Sequence, residues 1–166
     1  MNKSLTNLER VILLNQYELL EKIDAVNADY YDCLKSVLSN GYTHEYYMLD
    51  QNFSEELIDE DQELVWDTLE MYSRLYYSFK QLGNPKDFEN KIRFQGFDGN
   101  EEVTYFAYCK FVVKDLGRYC ELVEISPDDL NSHYPVVCKY QKMLSKWDAW
   151  GRPLQFSMDQ LAEILT

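Results

Sequence analysis

The stretch Arg93 to Glu102, RFQGFDGNEE, gathers residues able to do chemistry: Asp98, Asn100, Glu101 and Glu102 stand among two glycines and two phenylalanines. Oxygen donors so crowded suggest a cation or a phosphate. A calcium loop would use Asp98, Asn100 and Glu102 as its first, third and fifth positions. It also needs Gly at the sixth and a carboxylate at the twelfth, where the chain has Val103 and Cys109. A phosphate loop needs a Gly-Lys-Ser/Thr run, which does not follow. The plainer reading is structural. Asp98 is expected to cap a helix beginning near Gly99, with Glu101 reaching back from its third position. Gly96 and Gly99 would supply the turn, and Phe94 and Phe97 would pin it to a core. Ligand binding is kept as the lesser alternative.

Other chemistries find few residues. The two histidines, His44 and His133, have no His or Glu three or four positions away on a helix face, so zincin and di-iron patterns are missing. No Gly-x-Ser-x-Gly elbow is present. Cys33, Cys109, Cys120 and Cys138 show no C-x-x-C spacing and are expected to be reduced thiols. No cofactor and no dedicated metal site is expected. Glu63, Asp67 and Glu70, at i, i+4 and i+7, share one helix face and are the candidate for a carboxylate-bound magnesium ion. The plainer reading of that face is a solvated acidic stripe.

These residues must be positioned by helices. Thr6-Asn7-Leu8-Glu9 is a capping box that opens a helix to about Asp24. Leu8, Ile12, Leu19 and Ile23 share one of its faces, with Asn15 and Gln16 inside that face, and these amides are expected to bridge neighbouring helices rather than meet a ligand. Leu13, Leu14, Tyr17 and Leu20 make its other sides apolar too, as in a helix central to its domain or shared with another chain. Further helices are expected from Asp29 to Ser39, stopped at Asn40-Gly41; over Thr43 to Asp50; from Asp59 to Leu82, ended by Gly83-Asn84-Pro85; and from Gly99 to Leu116. Ser126-Pro127-Asp128-Asp129 is expected to open a short helical turn, and Pro135 the helix that carries Tyr140 and Trp147. Ser157-Met158-Asp159-Gln160, a second capping box, starts the last helix. Lys91 to Phe94 is the one doubtful strand. The expectation is an all-α fold: a single compact domain over residues 1–166, of about six to eight helices with little or no sheet.

The formal charge is −13, and it is unevenly placed. Between Lys35 and Arg74 there is no Lys or Arg, and ten acids from Glu45 to Glu70. Direct nucleic-acid binding is therefore not expected. The acidic segment is read as a solubilising surface, with a basic protein partner as the sharper alternative, such as Lys139, Lys142, Lys146 and Arg152 of a second copy. Residues 1–16 do not read as a secretory signal and no apolar run approaches a membrane span, so a cytoplasmic protein is expected.

Several motifs together resemble the YfbU-like family: Leu14-Asn15-Gln16-Tyr17, Gly41-Tyr42, Glu70-Met71-Tyr72, Phe94-Gln95-Gly96-Phe97-Asp98, Gly117-Arg118-Tyr119, and Tyr140 to Leu144 through Trp147. The likeness runs from about Thr6 to Leu165. It implies a small, helical, bacterial, cytoplasmic domain and no particular reaction. Its polar positions fall here on Asn15, Gln16, Asp98, Glu101, Arg118 and Tyr119, which would form either a pocket or struts between helices. Some such proteins also carry a helix-turn-helix segment; this sequence begins at the domain itself, so direct DNA reading is not expected. The function expected is that of a non-enzymatic, self-associating or partner-binding module, with a dimer favoured because 14 Tyr, 8 Phe and 3 Trp exceed what one small core would cover. The alternative is a metal-dependent carboxylate enzyme acting on a phosphorylated or nucleotide substrate.

Overall fold

Thr6 accepts the Glu9 amide while the Glu9 carboxylate accepts the Thr6 amide at 2.7 Å, so the first helix starts where the capping box says. A computed structural model describes residues 4–126 and 128–166 of the chain. This first helix, α1, spans Asn7–Ile23. A 3-10 turn over Ala25–Asn27 leads into α2, Ala28–Asn40, which Gly41 ends in the left-handed conformation at φ +67°. Arg10 lies across the C-terminus of α2, where its guanidinium donates to the Leu38 and Ser39 carbonyls. A cation at that end of a helix meets the negative pole of its dipole. The ring of Tyr17 stacks on Tyr31 at 6.2 Å, and Lys35 pairs with Glu21 at 2.7 Å. The residues expected to form a short helix after Gly41 do so as a 3-10 helix, Thr43–Leu49.

The chain's internal contacts group into two compact units: this one, ending at Glu55, and a second over Glu56–Thr166. Their interiors are unequal. Up to Glu55 the buried apolar side chains are Leu34, Val37, Leu38 and Tyr46.

The second unit holds the larger core. Its long helix α3, Asp59–Gln81, buries Val65, Leu69, Tyr72, Leu75 and Phe79 along one face, in amphipathic spacing, with Tyr76 half-buried beside them. Around it lie α4, Val103–Lys110; α5, Glu121–Ile125; α6, Val137–Ala149; and α7, Met158–Ile164, whose Ser157/Gln160 capping box is formed. Tyr72, Phe94, Phe97 and Tyr140 form one aromatic cluster, with neighbouring ring centroids 5.0–6.3 Å apart. The described residues contain no strand, and Lys91 to Phe94 is not one; a lone bridge joins Phe97 and Asn131. The all-α expectation holds.

Three boundaries differ from the sequence reading. The helix expected from Gly99 begins at Val103, and it passes at Phe111 into a π turn through Asp115, where Leu116 donates to the Phe111 carbonyl. The helical turn expected at Ser126 is not formed over 128–130, where Asp129 and Leu130 take positive φ; Pro127 lies outside the described residues. The helix expected from Pro135 starts at Val137, and α5 was not anticipated.

Candidate functional site

The turn from Phe94 to Glu102 is fastened on every side by bonds within the chain. The Phe97 amide donates to the Leu130 carbonyl at 3.0 Å, and Ser132 donates back to the Phe97 carbonyl at 3.1 Å. The buried Tyr140 hydroxyl donates to the Gly96 carbonyl at 2.9 Å. Asp98 is buried, and its Oδ1 accepts the Asn100 amide at 3.0 Å, closing an Asx turn. Glu102, rather than Glu101, is the second structural acid. Its Oε2 accepts the Asp98 amide at 3.1 Å, and its Oε1 accepts the Val136 and Val137 amides at 2.7 and 2.8 Å. Those are the cap and first residue of α6. One buried carboxylate thus closes its own turn and caps a helix 34 residues away, because it offers two acceptor oxygens where two sets of orphan amides converge. Glu101 is exposed.

Arg118 and Tyr119 lie elsewhere in this unit, in the bend between the π turn and α5. They line a groove of about 510 Å³ with Trp66, Ser73, Gly117 and Glu121. Tyr119 takes φ +53°, uncommon for an aromatic residue, and its ring meets Trp66 edge-on at 5.8 Å. Burial, with a smaller contribution from Glu70, raises its hydroxyl pKa. The Glu121 carboxylate is held by the Ser73 hydroxyl. A larger groove of about 630 Å³, lined in part by Tyr76, Lys80, Lys86 and Arg93, carries none of the polar positions Asn15, Gln16, Asp98, Glu101, Arg118 and Tyr119.

The acidic face of α3 is partly neutralised from within. Arg152 grips Asp67 through two nitrogens, at 2.9 and 2.6 Å, and Arg74 meets Glu70 at 3.2 Å. Arg152 also bonds Asp148, Lys146 donates to the Glu163 carbonyl and Lys139 to the Gln95 side chain, so three of the four bases considered for a second copy's acids are engaged in their own chain. Glu63, Asp67 and Glu70 do not converge: among the described residues no three His, Cys, Asp or Glu side chains are grouped to hold a metal ion.

Asn15 and Gln16 depart furthest from expectation. Instead of bridging helices, both are exposed and neither side chain has a hydrogen-bond partner among the described residues. They sit on a helix that buries no residue at all. The side of α1 toward α2 carries Arg10, Leu13, Leu14 and Tyr17, each half-buried. Its opposite side shows Leu8 at 71%, Ile12 at 49%, Leu19 at 60% and Ile23 at 81% exposure. No charged side chain interrupts that row; its polar members are the two amides. The signal was present in the sequence as a helix apolar on more than one side.

The model of the YfbU domain family matches residues 3–166, and the chain belongs to that family. The match names no reaction, and it spans the turn, the Arg118 groove and α1 alike.

Proposed function

We propose that this member of the YfbU family is a non-enzymatic helical module that associates with a second copy of itself through the outer face of α1. The observation that carries the reading is the exposed row Leu8, Ile12, Leu19 and Ile23 on a helix with no buried residue. Soluble chains leave such contiguous apolar faces mainly where something docks. A unit ending at Glu55 that fully buries four apolar side chains has a thin core of its own. Domains of this size are marginal even when well packed, so further burial is worth most here. The face is uncharged, and that matters in a chain of net charge −13, which repels its own copy wherever acids meet.

The energetics point to a weak dimer. Full burial of a Leu or Ile contributes about 1.5–3 kcal/mol, so eight such side chains, each roughly two thirds exposed beforehand, yield on the order of 8–15 kcal/mol. Association costs about 4–15 kcal/mol. The two ranges overlap, and a dimer populated at about 100 μM requires the burial gain to exceed the cost by about 5.5 kcal/mol. Light scattering on the wild-type chain over a dilution series tests this: a dimer mass at about 100 μM that falls toward one subunit on dilution is the expected result. A single-subunit mass throughout, in both low and moderate salt, overturns it.

A further inference from the structure

We infer that the two α1 helices pair antiparallel, about a two-fold axis that passes between Asn15 and Gln16; this rests on the self-association proposed above. The outer face reads the same from both ends. Leu8 and Ile23 are equally far from the Asn15–Gln16 bond, and so are Ile12 and Leu19. An isologous contact requires such self-complementarity, because each residue of one copy must meet its counterpart's complement on the other. On this axis Leu8 faces Ile23 of the other copy, Ile12 faces Leu19, and Asn15 lies beside Gln16.

The polar pair explains why two amides sit in an apolar row. Each side chain can donate and accept, and neither has a partner within its own chain among the described residues. Set against one another across the axis they satisfy each other. A slipped register would press an amide against leucine or isoleucine, so they fix the alignment as a single buried polar residue does in a coiled coil.

Charge favours the same orientation. A parallel pair would set Glu9 level with Glu9 and Lys22 level with Lys22. The antiparallel pair moves each of these like charges about 20 Å from its counterpart along the helix axes, beyond the screening length of about 8 Å at physiological salt. It also brings Glu9 level with Lys22 of the other copy, and it opposes the two helix dipoles favourably.

The test uses the full chain with the exposed Cys33, Cys120 and Cys138 changed to Ser and a nitroxide label on Lys22→Cys, a position beside the apolar row. Interspin distances are read at a concentration where light scattering shows the dimer. A distance of about 20 Å or more is expected, against about 10–15 Å for a parallel pair. As a second reading, Ile12→Cys and Leu19→Cys chains are mixed and oxidised. The mixed cross-link should exceed either homodimeric one at least fivefold. Short distances, or dominant 12–12 and 19–19 cross-links, overturn the antiparallel register while leaving self-association through α1 standing. A dimer that shows neither cross-link nor a spin distance in range overturns the use of α1. A single-subunit mass before labelling removes the reading on which this inference rests.

Discussion

Gly96 has no room for a side chain: a Cβ built on it would fall 1.7 Å from the Leu130 carbonyl oxygen, on a backbone already at φ +77°. Gly96→Ala is therefore expected to destabilise the protein by more than about 3 kcal/mol in denaturant unfolding, because the clash is with backbone and cannot be relieved by a rotamer. Glu102→Ala strips the acceptor from the Val136 and Val137 amides and should cost about 2–4 kcal/mol. Asp98→Ala, which loses the bonds from the Asn100 backbone and side-chain amides, should cost about 0.5–2 kcal/mol, and Asp98→Asn close to nothing. Should Asp98→Asn instead abolish a cellular or ligand-binding activity with stability intact, a structural role would not suffice for Asp98. Asp129 is held to a pKa of about 2 by Lys114 first and Lys110 second. Its unfolded value is the higher one, so the contribution is present above pH 4 and fades as pH falls through 2. NMR titration should show Lys114→Ala returning Asp129 toward the ordinary range. The residue pattern pointed to local hydrogen bonding in the turn, and it misassigned which acid makes most of those bonds. Glu101 stood at the local capping distance, whereas Glu102, besides the nearby Asp98 amide, serves the Val136 and Val137 amides 34 and 35 residues away, beyond the reach of any spacing rule.

Among elements, α1, α2, α3 and α7 were legible because each carries its own punctuation: two capping boxes, a left-handed Gly41 and the Gly83-Asn84-Pro85 stop. α4 was not, for a tertiary reason. The side chain expected to open it at Gly99 is folded into an Asx turn, and Glu102 reaches away to α6, so regular helix begins only at Val103. The π turn after it and the positive φ of Asp129, Leu130 and His133 are set by packing and have no glycine to mark them. On α3 the Thr68 hydroxyl is buried without a partner, alone in this among the described residues. Thr68→Val keeps the shape and removes the unpaired group, so it should raise stability by about 1 kcal/mol, read as an increase in the denaturant midpoint at unchanged slope. A decrease would mean that the hydroxyl is bonded after all.

For the molecule as a whole, composition announced more aromatic side chains than one small core would cover, whereas the exposed row on α1 is aliphatic: Leu8, Ile12, Leu19 and Ile23. What the sequence hid is that the unit ending at Glu55 buries so little, since a periodic helix looks alike whether its second face meets a core or water. The Asn15 and Gln16 amides were legible as an anomaly, and the proposed pairing with a second copy would give them partners. The measurement that bears most directly on this account is the solution mass of Leu19→Glu beside the wild type at about 100 μM, with circular dichroism on the same samples. On the proposed pairing, a carboxylate placed in the α1 row would be buried unpaired against the second copy, at a cost of several kcal/mol set against the interface. The account predicts a dimer for the wild type and a single folded subunit for Leu19→Glu, with helix content unchanged. Equal dimer masses for the two proteins would contradict it.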